Sequence, residues 1–305
     1  MSLRLRRDDY PSRLLFIKRM ERRVVLSQMN YDAQLKHSCT LRLFERSMVE
    51  VKFLGSGNAF CPDGRMHSLV LLDGKILIDT PPTILPQLGQ AGLSPADINT
   101  ILFTHWHGDH IFGFPFFILE RKYISDREGH NTLDVHLHEG GGKKLKELSE
   151  IAFPGSLTDV LENRVRFHHS KNGPVTGTSD WVFERFPVNH EPATEPHGYQ
   201  LHHTSGLTII HCGDSGPCEE IEQRVGGADI VIIEVGVPDG VPTDFHFKPS
   251  SLSDLAQKNP STIFLATHLY TTKDETISDL PDNVIQVQDG DVFNCGTGGI
   301  ITNSN

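Results

Sequence analysis

The stretch "THWHGDH" at residues 104–110 constrains this chain most, because it places three histidines and an aspartate within seven positions directly after an apolar run. In an extended segment, side chains two residues apart face the same side, so His105 and His107 can reach one ion. Asp109 and His110 follow where the chain is expected to turn into a helix, and they point elsewhere. Burying four such groups without a common partner is costly. The stretch therefore predicts a metal site, and its two directions indicate two ions.

Other ligands must also be histidine or carboxylate, since the five cysteines form no C-x-x-C pair and indicate neither a disulfide framework nor a thiolate zinc site. Candidates follow the apolar strands further along the chain. "FPVNH" carries His190, "IIHCGDS" carries Asp214 and "FLATH" carries His268, while "KILID" ends at Asp79. Each of these residues is expected at the rim of a sheet.

Strand and helix patterns alternate along residues 48–305. Strands are predicted over 48–55, 67–79, 98–104, 133–138, 164–169, 181–188, 198–203, 207–212, 229–235 and 262–268. Helices are predicted near 83–90, 110–122, 142–151, 217–225 and 249–258. Two successive blocks of strands, each ending in βα units, predict an α/β fold: an αββα sandwich of two mixed β-sheets flanked by helices.

The ordered motifs H-x-H-x-D-H, a distant histidine, "GD[ST]" and a final "TH" resemble the metallo-β-lactamase superfamily over essentially all of residues 49–300. The resemblance implies two divalent ions, with zinc the simplest choice for His-rich ligands and manganese or iron also fitting. It implies three sets of ligands: His105, His107 and His190 for the first ion, Asp109, His110 and His268 for the second, and Asp214 between them. Asp79 matches an aspartate that supports the site through hydrogen bonds.

Within the superfamily, "VKFLGSGNAF", "GRMHSLVLL" and "ILIDT" are most similar to ribonuclease Z and its phosphodiesterase relatives. In those enzymes a histidine paired with a glutamate gives a proton to the leaving group, and "DFHFKPSSLSDLA" and "IIEVG" place His246 and Glu234 there. The resemblance also implies a metal-bridged hydroxide oriented by Asp109. Arg65 and His67 match a loop that lies near the substrate.

The chain departs from ribonuclease Z in two places. Between His110 and His190 it has no long basic Gly/Pro-rich arm beyond "GGGKK", and "DTPPTIL" replaces the glycine-rich turn "DCGEGTQ". Residues 48–305 hold 17 basic and 34 acidic residues, which disfavours long nucleic acids as ligands. The expected substrate is therefore either an RNA 3′ end or a small or cyclic nucleotide phosphodiester. The alternative is a carbon ester, lactone or thioester hydrolase on the same site, for which His246→Ala would matter little.

Residues 1–47 form a separate basic extension with 11 Lys and Arg against 5 Asp and Glu. Apolar residues near helical spacing predict an amphipathic helix there. Its role stays open between an extra helix or dimer contact, an element that faces RNA or lipid, and a start assigned upstream of Met48.

The longest apolar stretches are shorter than the roughly 20 residues that span a bilayer, and no signal peptide opens the chain. We therefore expect a soluble cytoplasmic protein without a membrane partner. The family resemblance alone implies a homodimer.

Overall fold

The structure, a computed structural model, describes residues 48–304 of the chain. The predicted extension at residues 1–47 lies outside the described residues. Within the described part the strands form one sheet of eight and one sheet of seven. Helices pack on the outer face of each sheet, so the predicted αββα sandwich is confirmed. The described residues contain no helix that is both long and apolar enough to cross a membrane.

The first sheet has the strand order β15-β14-β1-β2-β3-β4-β5-β6. Its strands are Val49–Gly55 (β1), Leu69–Leu72 (β2), Ile76–Ile78 (β3), Thr100–Leu102 (β4), Leu133–His136 (β5), Val165–His168 (β6), Val292–Gly296 (β14) and Gly299–Ser304 (β15). Neighbours from β15 to β3 are antiparallel, and neighbours from β3 to β6 are parallel. The carboxyl ends of β3 and β4 therefore lie side by side at one edge.

The second sheet has the order β13-β12-β11-β10-β9-β8-β7. Its strands are Asn172–Pro174 (β7), Trp181–Pro187 (β8), His197–His203 (β9), Thr208–His211 (β10), Ile230–Glu234 (β11), Ile263–Thr267 (β12) and Val284–Gln286 (β13). From β10 to β13 the neighbours are parallel, and from β7 to β10 they are antiparallel. Each sheet thus combines a hairpin half with a βα half.

The helices flank these sheets and connect their parallel strands. They are Ile84–Gln90 (α1), Gly108–Ile111 (α2), Phe114–Glu120 (α3), Gly141–Ala152 (α4), Thr158–Asn163 (α5), Glu219–Val225 (α6) and Pro249–Lys258 (α7). Short 3-10 turns cover Pro95–Asp97 and Pro192–Thr194, and a π turn covers Arg121–Ser125.

Alternation along the strands divides the core into layers. In β2, Val70 and Leu72 join the core between the two sheets, whereas Leu69 and Leu71 pack among the helices outside the first sheet. Side chains of successive strand residues point to opposite faces, so a strand covered on both sides reads as an unbroken apolar run. Each such side chain stabilises the fold by about 1.5–3 kcal/mol on burial. The strand ends that carry the polar residues are therefore held on a well-packed scaffold.

The predicted helix over 110–122 is interrupted in the structure. It ends at Ile111 and resumes at Phe114 because Gly113 lies directly against the Pro81 carbonyl and donates its N–H to Thr80 O at 2.9 Å. Pro115, which has no N–H to donate, is tolerated in the first turn of the new helix. The predicted helix was therefore correct in position but wrong in continuity.

Candidate metal centre

The polar residues singled out from the sequence lie along one edge of the sandwich. Asp79 directly follows β3, Glu234 ends β11, and His268 directly follows β12. His105 and Asp214 come a few residues after β4 and β10. In sheets of this kind, ligands bind outside the carboxyl ends of parallel strands. The folding pattern alone therefore brings these side chains to one rim.

A first cluster joins three histidines and one aspartate. His107 Nδ1 lies 3.1 Å from His105 Nε2 and 3.0 Å from His190 Nε2. Asp214 Oδ2 lies 3.8 Å from His105 Nε2. The four donor atoms are all within 4.8 Å of one another. Ligand atoms around a tetrahedral zinc ion, at about 2.0–2.1 Å from it, stand about 3.3 Å apart, so this set fits an ion.

A second cluster adjoins the first through the same aspartate. Asp109 Oδ2 lies 3.3 Å from both His110 Nε2 and His268 Nε2. Asp214 Oδ1 is 3.4 Å from His110 Nε2, and Asp214 Oδ2 is 3.3 Å from His268 Nε2. These donor atoms also lie within 4.8 Å of one another. Asp214 thus faces both clusters, as expected of a bridging carboxylate.

Both clusters draw equally on the two sheets. His105 and His107 in the first cluster, and Asp109 and His110 in the second, follow β4 of the first sheet. The other members, His190, Asp214 and His268, follow strands of the second sheet. Neither sheet can assemble a cluster alone.

Three of the imidazoles have hydrogen-bond partners on the nitrogen that faces away from the clusters. His190 Nδ1 donates to Phe245 O at 2.9 Å, and His105 Nδ1 lies 3.0 Å from Thr104 Oγ1. His110 Nδ1 lies 2.8 Å from an Asp79 carboxylate oxygen. With Nδ1 as the donor, the nitrogen that faces the cluster can give its lone pair to a metal ion. His110 Nε2 is a buried atom without a hydrogen-bond partner, which fits an ion further.

Asp79 supports the site from behind, as the resemblance implied. Its carboxylate accepts hydrogen bonds from Thr104 N at 2.8 Å, Thr104 Oγ1 at 2.7 Å and His110 Nδ1. One buried carboxylate therefore orients His110 directly and His105 through Thr104. Asp79 and His268 both have positive φ angles, 70° and 51°, which non-glycine residues rarely adopt. Such strained backbone tends to occur at functional sites.

The electrostatics of the clusters keep the carboxylates ionised. Burial would raise the pKa of Asp109, but the adjacent His110 and His268 hold it well below its ordinary value. The pKa of Asp214 is likewise well below its ordinary value, since His268 and His110 outweigh the effect of burial. Burial lowers the pKa of His105 well below its usual range and favours the neutral imidazole. Against the effect of burial, Asp214 and Asp109 raise the pKa of His110 and that of His268, the latter to about 9, so both imidazoles hold a proton that metal binding would release.

His246 and Glu234 form a hydrogen-bonded pair beside the clusters. His246 Nδ1 lies 2.8 and 3.0 Å from the two Glu234 carboxylate oxygens. The carboxylate also accepts the N–H groups of Ser215 and Gly236, each at 2.8 Å. A side chain on Gly236 would collide with this carboxylate, which explains the glycine. The His246 ring centroid is 4.9 Å from that of His190, so the imidazole stands over the first cluster.

The two candidate substrate residues differ in their surroundings. Burial lowers the pKa of the His67 imidazole, and the negative charge of Asp109 partly offsets that lowering. His67 Nδ1 lies 3.2 Å from Thr83 Oγ1. Arg65 is instead only 5% exposed. Its guanidinium donates to Thr271 O at 2.8 Å and Ser56 Oγ at 2.6 Å. These bonds commit the Arg65 guanidinium to joining loops, and its expected place beside the substrate stays a prediction.

Exposed aromatic side chains, which the sequence analysis did not single out, flank the clusters. Phe112 is 53% exposed, and its ring abuts Gly108, between His107 and Asp109. Phe245 is 38% exposed, and its ring centroid lies 6.1 Å from that of His190. Apolar alternation predicts buried positions, so it gives no signal for exposed rings such as these.

A third aromatic ring is carried by the loop that begins after β1. Phe60 is 87% exposed, and its N–H donates to Asn58 Oδ1 at 3.0 Å. Asn58 is anchored at the rim, because its Nδ2 donates to Gly236 O at 3.0 Å and its N–H donates to Leu269 O at 3.1 Å. The loop that carries Phe60 is therefore anchored to the residues that follow β11 and β12, next to His268. We refer to Phe60, Phe112 and Phe245 as the aromatic rim.

The mixed sandwich with its paired clusters defines the chain as a metal-dependent hydrolase. Residues 75–269 match the family described as "Beta-lactamase superfamily domain". Because that match spans more than half of the chain, the chain belongs to this superfamily.

Three of the similar proteins agree with this assignment. A ribonuclease Z of Methanothermobacter thermautotrophicus is 24% identical over 297 residues, covering 79% of this chain and 94% of the relative. The short form of human tRNase Z has a similar fold, with a TM-score of 0.61, 20% identity and coverage of 80% of this chain and 98% of that chain. A diphosphatase from the PhnP family gives a TM-score of 0.60 at 22% identity, covering 80% and 96%. The predicted resemblance to the ribonuclease Z branch is thus confirmed.

Proposed function

We propose that this chain is a dinuclear nucleotide phosphodiesterase. Zinc is the metal that best suits two His-rich clusters without thiolate. The proposed ligands are His105, His107 and His190 for one ion, Asp109, His110 and His268 for the other, and Asp214 for both. The observation that carries the proposal is the His246–Glu234 pair beside these clusters.

Two divalent ions bound here would supply a hydroxide nucleophile near neutral pH and stabilise the charge that develops on the phosphoryl oxygens. Asp109, an ionised carboxylate with 13% of its side chain exposed, would accept a hydrogen bond from such a nucleophile and orient it. Asp79 keeps His110 and, through Thr104, His105 in one orientation, so little reorganisation of these two imidazoles is needed during the reaction.

His246 protonates the departing alkoxide. Its Nδ1 is bonded to Glu234, so the proton leaves from the opposite nitrogen, Nε2. Two backbone N–H groups hold Glu234 in turn, so the proposed proton donor His246 is oriented by a carboxylate that is itself fixed. A carbon-ester hydrolase on the same clusters would not require a proton donor of this kind at the leaving group.

The aromatic rim favours a nucleotide as the substrate. Bases stack on exposed aromatic rings with about 1–3 kcal/mol per base. Residues 48–305 carry 34 acidic against 17 basic residues, so affinity must come from stacking and the ions more than from contacts along a phosphate backbone. We therefore propose a short substrate, either a small nucleotide diester or the 3′ end of an RNA. Because this chain is similar to a ribonuclease Z, the 3′ end of an RNA is the second candidate substrate.

The test compares bis(p-nitrophenyl) phosphate with a chromogenic lactone and a thioester in the presence of zinc or manganese. His246→Ala should lower kcat/KM by about 100-fold or more on a dinucleotide, whose leaving alkoxide needs a proton, and by much less on bis(p-nitrophenyl) phosphate, whose nitrophenolate leaves without one. His130→Ala, at an exposed position, is the matched control and should leave the rate unchanged. Activity restricted to the carbon esters and indifferent to His246 would refute the proposal.

A further inference from the structure

Trp106 lies between the two proposed ligands His105 and His107, but its side chain points to the opposite face of the segment. Residues that alternate along an extended chain point in opposite directions, so Trp106 turns away when His105 and His107 face the ion. Its ring stacks on Phe103, with centroids 6.0 Å apart and planes at 27°. Its indole Nε1 donates to Glu195 Oε2 at 2.5 Å.

Glu195 belongs to the segment that carries the third histidine of the first cluster. The chain passes from His190 through the turn Pro192–Thr194 to Glu195, which has a left-handed backbone with φ 53°. Trp106 N also donates to Thr194 O at 3.2 Å. The same Glu195 oxygen accepts from Lys144 Nζ at 2.8 Å, and this ammonium lies 5.0 Å above the Trp106 ring.

We infer that Trp106, Glu195 and Lys144 form a latch that positions the three imidazoles of the first cluster. The latch ties the segment with His105 and His107 to the segment that follows His190, and these segments come from different sheets. The first cluster takes His190 from the segment at 190–195, whereas the second cluster takes no residue from it. Loss of the latch therefore affects one ion much more than the other.

The inference rests on the proposed ligand assignment, and the first step of the experiment tests that assignment separately. Metal-free wild type is titrated with zinc against a chromogenic chelator, and two ions per chain are expected. A wild type that binds fewer than two ions would contradict the proposed dinuclear site. If wild type binds two ions, the comparison of the variants then tests the latch separately from the ligand assignment.

The variants are Trp106→Phe, Glu195→Ala and Glu195→Gln. Removing a group that orients metal ligands typically costs about 10–100-fold in affinity, so Trp106→Phe and Glu195→Ala should weaken one ion by about 10-fold or more and the other by less than about twofold. Glu195→Gln keeps an oxygen acceptor for the indole and should restore most of the affinity. Because the Glu195 side chain is 33% exposed, its variants should fold even if Trp106→Phe does not.

Trp181→Phe is the matched control, since the chain contains two tryptophans and this one also donates its Nε1 to a carboxylate, Asp73, at 2.9 Å. It should bind both ions as wild type does. Unchanged affinities in Trp106→Phe and Glu195→Ala would overturn the inference. Equal weakening of both ions together with a lower Tm would also overturn it, because that result would indicate a general structural role.

Discussion

The substitution Asp79→Asn isolates the contribution of one buried carboxylate to both folding and metal binding. Asp79 is 3% exposed and accepts three hydrogen bonds, two from Thr104 and one from His110. Asparagine has nearly the same volume but only one acceptor oxygen. Whichever way the amide is turned, its NH2 group faces a buried donor. An unsatisfied buried donor costs about 1–3 kcal/mol, so the metal-free domain should lose about 2 kcal/mol of stability.

The same substitution should weaken metal binding by about 10–100-fold, mainly at the second cluster, where His110 loses the carboxylate that orients it. Thermal unfolding in excess chelator measures the first effect, and competition against a chromogenic chelator measures the second. Asp97→Asn is the control, because Asp97 also accepts two hydrogen bonds, from Ser94, but is exposed. Wild-type affinity for both ions in Asp79→Asn would refute the reasoning.

Two further predictions follow from the rim and from the interior. Phe245→Ala should raise KM for thymidine 5′-p-nitrophenyl phosphate about 5-fold or more, because stacking is lost, and should leave KM for methyl p-nitrophenyl phosphate near wild type. Phe116→Ala, at another exposed ring, is the control and should leave both KM values near wild type. Equal KM changes on both substrates in Phe245→Ala would contradict the prediction. Burial, with His168 nearby, lowers the pKa of His136 to about 4. In the unfolded chain the His136 imidazole has a pKa of about 6.5, so as the pH falls it is protonated there before it is protonated in the folded protein. The free energy of unfolding should therefore fall by about 3 kcal/mol between pH 6.5 and 4. His136→Gln should show a shallower fall of stability with acid. Parallel pH profiles of the two proteins would refute this.

Local patterns were sufficient to predict the positions of most strands along the chain and the residues at the rim. Apolar strands ending in His, Asp or "TH" predict positions at one edge of a sheet, and His105, Asp214 and His268 lie there. The pattern was less informative beyond residue 268. There β13 has only three half-buried residues, Val284–Gln286, and its short apolar run resembles a loop.

Contacts between distant segments could not be predicted from the sequence. Arg65 belongs to a polar loop, and its burial depends on backbone carbonyls more than 200 positions away. Nothing in the sequence indicates that Glu195 will accept the indole N–H of Trp106. These pairings depend on where the two sheets pack, which is a property of the whole fold rather than of a motif.

Both clusters take two residues from each sheet, so an ion bound at either of the proposed sites would cross-link the halves of the sandwich. A ligand that binds only the folded state adds about 4 kcal/mol of stability when its concentration is 1,000 times its Kd. On the proposed assignment, metal supply would set how firmly the two sheets stay together as well as how fast substrate is cleaved. Under metal starvation such a protein would lose mechanical integrity along with activity, and its cellular lifetime would follow the supply of metal.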